Sequence, residues 1–182
     1  MSKIKWNSEK MLSISAMSMS FFTLLIFIYQ TNLMRKQNYL SILPYLTVAT
    51  TTNSAAPVFE LNLQNHGVGP AIIESVNVTY KDTTYNLIDF DNKMYKFLVF
   101  LAPKLDSIKS YSHSPMSKGM AIPANSIYNI LRVSDSSEEF LLMAQTIKFL
   151  LEDGMNYKII YKSIQDEHWL IHHNSQGPQK LN

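Results

Sequence analysis

The chain has 182 residues, room for one domain with an appendage. Hydrophobic residues make up 46% and charged residues only 16%, against a usual charged share of about 25%, and apolar content this high excludes an intrinsically disordered chain. Cysteine is absent, which removes disulfides, cysteine-ligated zinc, iron–sulfur clusters and thiol nucleophiles together.

The charge deficit is local. Residues 11–34 hold no charged side chain, and their centre reads Phe21-Phe22-Thr23-Leu24-Leu25-Ile26-Phe27-Ile28-Tyr29. As a helix this stretch is about 36 Å long at about 1.5 Å per residue, against a hydrocarbon core of about 30 Å. Lys10 precedes it, and Arg35 and Lys36 follow. Tyr29 and Trp6 are placed for the interfaces, where amphipathic rings are favoured. A cleaved signal peptide would show small residues at an A-x-A-like site. Gln30-Thr31-Asn32-Leu33-Met34-Arg35 offers none. Residues 1–10 therefore read as an N-terminal flank and 11–34 as an uncleaved single-pass span of the inner (cytoplasmic) membrane. Met11, Met17 and Met19 are apolar mass within it. Ser13, Ala16 and Ser20 form a small-residue stripe of the kind that lets two helices approach. Lys3, Lys5 and Lys10 outnumber Arg35 and Lys36 by one, a bias toward a cytoplasmic N-terminus that would put the domain outside the cytoplasm.

Residues 1–36 carry five basic and one acidic side chain, a net +4. That leaves eleven basic against thirteen acidic residues in 37–182, a net −2. The basicity belongs to the membrane flanks, where it meets anionic headgroups. The domain has no electrostatic footprint for nucleic acid.

Residues 35–43 keep a loose helical spacing as a juxtamembrane helix or stalk, ended by Pro44. From Tyr45 the period becomes two. Tyr45–Thr51 is β-branched and aromatic, a strand. A loop over 53–57 leads to Val58–Gln64, with Phe59, Leu61 and Leu63 on one face and Glu60, Asn62 and Gln64 on the other. A Gly-rich turn over 65–70 precedes a strand over 71–80, and Lys81-Asp82 turns the chain into a strand over 83–87. Phe90, Met94, Phe97, Leu98 and Leu101 share one helical face, which predicts a helix over 89–101 with Asp89 as N-cap. Residues 102–119 read as a long connection suited to partner contact. A strand over 127–133 follows. Ser136 and Glu139 have capping-box spacing for a helix to about residue 152, stopped by Gly154. Strands over 157–161 and 168–172, joined at Gln165-Asp166, complete residues 44–173. The tail, 174–182, is polar and expected to be flexible. The sum is a mainly β protein: a transmembrane helix followed by a small antiparallel β-sandwich, immunoglobulin-like in outline, with one or two inserted helices.

Pro44-Tyr45-Leu46 just after the anchor, Asn65-His66-Gly67-Val68-Gly69-Pro70-Ala71, and Tyr161-Lys162-Ser163-Ile164 ahead of Trp169 together resemble a broad set of uncharacterised bacterial single-pass membrane proteins. These have a Pro-Tyr-Leu strand start and an Asn-x-Gly-x-Gly-Pro-Ala turn in a C-terminal β-rich domain. The resemblance implies bacterial origin, a membrane-tethered domain and no assigned chemistry. Gln165-Asp166 departs from it, because such proteins often place glycine in that hairpin.

Asn65-x-Gly67-x-Gly69-Pro70 lacks the third glycine of a dinucleotide fingerprint, since position 72 is Ile72, and no helix follows. It reads as a structural turn, with Gly67 and Gly69 free to take positive φ and Pro70 fixing the exit. His168 and His172 share a strand face roughly 13 Å apart at about 3.3 Å per residue, too far for one metal without His66 or His113 folded close. The acidic pairs Asp89/Asp91, Glu138/Glu139, Glu152/Asp153 and Asp166/Glu167 fall at helix ends or turns, and only Glu152/Asp153, at a helix C-terminus, goes against the helix dipole. No Gly-x-Ser-x-Gly elbow exposes a serine. No catalytic, cofactor-binding or metal-ligating residue is assigned and no cofactor is expected. The expectation is a membrane-tethered interaction or accessory module without catalytic activity, whose partners are the lipid bilayer and a protein or a second copy. The alternative is a membrane sensor or effector whose domain binds a small signalling ligand, for example a cyclic nucleotide in phage defence, and acts through oligomerised transmembrane helices. A metal-dependent hydrolase built on His66, His113, His168 and His172 is the remaining reading.

Overall fold

A computed structural model describes residues 7–53 and 57–181. Lys3, Lys5 and Trp6 of the N-terminal flank, and residues 54–56 of the loop expected over 53–57, lie outside the described residues. The chain divides into two units, residues 1–41 and 42–182.

The first unit is one helix, α1, Ser8–Leu40. At about 1.5 Å per residue it is about 50 Å long, so the apolar span and the juxtamembrane segment form one continuous rod. It is long and apolar enough to cross a membrane, with a mean hydropathy of 2.0 over its best window and none of that window buried. Its hydroxyls turn back on the helix. Ser13 Oγ donates to the Glu9 carbonyl at 2.9 Å, Ser20 Oγ to Ala16 at 2.9 Å and Thr23 Oγ1 to Met19 at 2.7 Å. Each polar group is thereby satisfied inside its own backbone. The helix stops three residues before Leu43, the limit expected from Pro44, with Ser41 as its C-cap.

The second unit holds ten strands and two helices among the described residues. The strands are β1 Leu46–Asn53, β2 Val58–Asn65, β3 Ala71–Tyr80, β4 Thr83–Asn86, β5 Tyr111–His113, β6 Ala121–Ile122, β7 Ser126–Val133, β8 Asn156–Lys162, β9 His168–His172 and β10 Gln179–Lys180. The helices are α2 Met94–Leu101 and α3 Ser137–Glu152. Two antiparallel sheets result. One has the order β1-β2-β7-β5. The other runs β10-β9-β8-β3-β4, with β6 also paired to β3. One buried core draws on both sheets, through Leu46, Phe59, Leu63 and Leu131 from the first and Ile73, Val76, Ile159 and Tyr161 from the second. Phe140, Met143 and Ile147 of α3 join it, as do Phe97 and Leu98 of α2. Helix accounts for 38% and strand for 33%, so the expected β predominance holds only beyond α1.

The β3–β4 hairpin turns on Lys81 and Asp82, at φ 49° and 62°. Both central residues at positive φ give the primed turn that matches strand twist. Asp166, at φ 62°, takes the left-handed position in the β8–β9 turn that glycine would otherwise fill.

Three expectations change. The helix predicted from Asp89 begins at Met94. Leu87–Phe90 is instead a short 3-10 turn, capped by Asn86 Oδ1 accepting from Ile88 N at 3.0 Å. Asp91 and Asn92 then take φ of 56° and 59°, which no α-helix accommodates, so Asp89 caps nothing. The connection over 102–119 contains a second 3-10 turn, Pro103–Ser107, and β5, which extends the first sheet. The tail is no loose end. Gln179 and Lys180 pair with Leu170 and Trp169, Leu181 N donates to the His168 carbonyl at 2.8 Å, and Lys180 Nζ meets Glu167 Oε1 at 2.6 Å.

Ser136 caps α3 through Glu139 N at 3.3 Å. The reciprocal half of the capping box is redirected: the Glu139 carboxylate accepts from Lys109 N and Ser110 N, each at 2.9 Å. Those amides hold its carboxyl below the usual range. Glu139 thus ties the 3-10 segment to α3. At the other end Asp153, the acid at odds with the helix dipole, accepts from Tyr80 Oη at 2.5 Å and lies 3.5 Å from Lys81 Nζ. Those partners, the Tyr80 hydroxyl foremost, lower its pKa and explain its position.

Candidate functional site

The three sequence pieces that carry the family resemblance meet at one place, the start of β1. Asn65 closes β2 in phase with Phe59, Leu61 and Leu63, so the strand's alternation sends its side chain inward, where it is 1% exposed. There it makes five hydrogen-bond contacts. Asn65 Oδ1 accepts from Tyr45 N at 3.1 Å and Gly67 N at 3.0 Å. The two N–H groups of Asn65 Nδ2 are shared among the carbonyls of Gly69 at 2.8 Å, Pro123 at 3.0 Å and Ile122 at 3.1 Å. Val68 N and Gly69 N donate to the Leu43 carbonyl, and His66 N to that of Tyr45. From the other sheet, the fully buried Tyr161 hydroxyl accepts from Leu46 N at 3.4 Å, and burial pushes its phenol well above the ordinary tyrosine range.

Gly67 and Gly69 serve this clasp differently from the expected positive φ, which neither adopts. They are glycines because the segment around Pro44 lies against them. A Cβ on Gly67 would fall 2.3 Å from the Leu43 carbonyl oxygen, and one on Gly69 1.9 Å from that of Ile42. Pro70 leads into β3. Gly177 likewise lies under the Tyr45 ring, where a Cβ would come 2.6 Å from the hydroxyl. The clasp has no free polar group aimed at solvent and does not form a phosphate cradle. It fixes the chain at the point where the domain begins.

No sequence motif announces a second feature, an apolar cavity of about 200 Å³ within the second unit. Val48 and Leu61 wall it from one sheet, Val78 and Ile159 from the other, and Ile147 from α3. Met94, Met116 and Met155 also line it, and flexible thioethers adapt to irregular space. Its polar lining groups other than Thr50 gather together: Asn156, Tyr157 and His173. Burial raises the Tyr157 phenol. A surface groove adjoins this polar cluster and shares Val48, Tyr157 and His173 with the cavity. Thr47, His172, Ser175 and Gln176 also line this groove. These residues come from β1, β8, the end of β9 and the segment after it, too far apart in sequence for any motif to join them.

The histidines are dispersed. His66 Nε2 lies 3.1 Å from Thr47 Oγ1, His168 Nδ1 2.7 Å from Glu74 Oε2, and His113 stacks beside Tyr95 and Tyr111. Among the described residues, no three His, Asp or Glu side chains gather closely enough to hold a metal. Asp91 pairs with Lys96, and Asp166 with Lys162 at 2.5 Å. Ser13, Ala16 and Ser20 remain on α1, two of them engaged with their own backbone as described. No family model matches the chain, and no curated protein and no solved structure matches it.

Proposed function

We propose that this chain is a bacterial, single-pass, membrane-tethered interaction module without catalytic activity. In this reading α1 spans the inner membrane with its N-terminus in the cytoplasm, and residues 42–182 form a small sandwich, immunoglobulin-like in outline, that meets a protein partner or a second copy. The observation that carries it is a 33-residue apolar helix with no buried residue, followed by a domain whose Asn65 cluster is engaged in holding the fold. An unburied apolar helix of that length finds a low-energy environment only in lipid or against another apolar surface. Alkaline carbonate washing of membranes tests the tether: the chain is expected in the pellet, and recovery of the intact chain in the supernatant refutes it. A reporter fused to the C-terminus tests the orientation.

The cavity favours a second reading, in which the tethered domain senses a small ligand and signals through associated α1 helices. No Lys or Arg lines the cavity. A cyclic nucleotide phosphate inside the cavity would have no cationic partner, so the part of the ligand that this reading places in the cavity is apolar.

A further inference from the structure

We propose that the cavity and its adjoining groove form one site for a single-chain carboxylic amphiphile, with the chain in the cavity and the carboxylate at His172 and His173. This deepens the small-ligand reading above. Three observations select that ligand. The cavity walls are aliphatic and thioether, with the polar lining groups other than Thr50 gathered together. A cavity of about 150 Å³ lined by such side chains stays dry and accepts benzene, so about 200 Å³ suits an unbranched chain of roughly six to eight carbons. The groove that shares Val48, Tyr157 and His173 with the cavity carries two imidazoles, hydroxyls and an amide, with no acidic side chain in its lining. Ser175 Oγ donates to the His172 carbonyl at 2.8 Å and Thr47 Oγ1 lies 3.1 Å from His66 Nε2, which leaves the two imidazoles as the groove's donors for an anionic acceptor, with no competing carboxylate. A polar mouth on an apolar pocket is the general pattern of a small-molecule site. The ligand is thus a free acid, because the end of an esterified lipid acyl chain carries no carboxylate for the groove.

The full chain, labelled with 13C at the methionine methyls and held in phosphatidylcholine nanodiscs, is titrated with octanoate. The Met94, Met116 and Met155 methyls are expected to shift saturably and to show contacts to the terminal methyl of octanoate. Octanol is expected to bind about tenfold more weakly, as is octanoate to His173→Ala. Val78→Phe, which places a ring in the cavity, is expected to abolish the shifts while keeping its methyl spectrum dispersed. Broadening of the same three methyls by a phospholipid spin-labelled at its acyl end would show an esterified chain in the cavity and overturn the free acid as its ligand. No saturable shift with octanoate, or octanoate binding retained in a folded Val78→Phe, overturns the site. Equal affinity for octanol overturns the carboxylate end of it. Release of the chain by carbonate would refute the tether and leave this result standing, while failure of the titration would leave the tether standing.

Discussion

Replacing Asn65 by alanine removes five hydrogen-bond contacts at once, two of them fully buried. A buried group left unpaired costs about 1–3 kcal/mol, and a part-buried bond that water replaces contributes about 1 kcal/mol or less. With the carbonyls of Gly69 and Ile122 orphaned and three part-buried bonds lost, the expected loss is about 4 kcal/mol, a large share of the 5–15 kcal/mol typical of a domain. Asn65→Asp isolates the donor side. It keeps an acceptor for Tyr45 N and Gly67 N but turns an oxygen toward three carbonyl oxygens. Burial and those oxygens disfavour a carboxylate, so the pKa of the new group is raised in the folded state. An acid with a raised folded pKa stabilises the fold more as pH falls, so the Asp variant should gain stability between about pH 8 and pH 5 relative to the parent chain. Urea unfolding of the full chain in micelles, read by Trp169 fluorescence in a Trp6→Phe background, measures both. A loss below about 1 kcal/mol for Asn65→Ala, or a pH-independent Asn65→Asp difference, would refute the clasp as the domain's chief polar constraint.

Gly69→Ala is expected to prevent folding or cost more than about 3 kcal/mol, because its Cβ meets the Ile42 backbone, whereas Gly119→Ala, strained only by its φ of 84° in open space, should cost about 1 kcal/mol by the same unfolding assay. Burial pushes the Tyr95 phenol up to about 12, so the fold binds a proton there that the unfolded chain releases near pH 10. The urea midpoint should therefore fall from about pH 10 toward pH 12, with part of that decline absent in Tyr95→Phe. Leu25→Lys with Ile26→Lys puts two charges mid-span at about 2.5–3.5 kcal/mol each, and the chain should move to the carbonate supernatant.

Where hydrophobic period and burial agree, the sequence was legible. The alternation of Phe59, Leu61 and Leu63, the run over 71–80 and the apolar face from Phe140 to Leu151 each give their element. Short strands were not legible: β5, β6 and β10 have two or three residues, fewer than one full alternation, and pair only because neighbouring strands offer them an edge. The start of α2 was misplaced because Phe90 shares a helical phase with Met94 and Phe97, yet Asp91 and Asn92 break the backbone between them. Asn65 and its glycines were visible as a turn. Their role was not, because a close approach involves Ile42 and Leu43 some 25 residues earlier, and glycine looks the same whether it supplies φ or space. The strand phase that turns Asn65 inward was the available signal. The cavity had none, since its walls are ordinary core residues distinguished only by what they fail to fill.

The clasp also governs how the domain bears load. Leu43, Tyr45 and Leu46 are held by five hydrogen bonds: the Leu43 and Tyr45 carbonyls accept from Val68, Gly69 and His66, and Tyr45 N and Leu46 N donate to Asn65 and to Tyr161 of the other sheet. Tension that draws this segment away from the domain must break bonds to both sheets and to the turn between them. The domain is thereby built to resist being pulled apart at its entry point, and under pulling it should yield in one abrupt step.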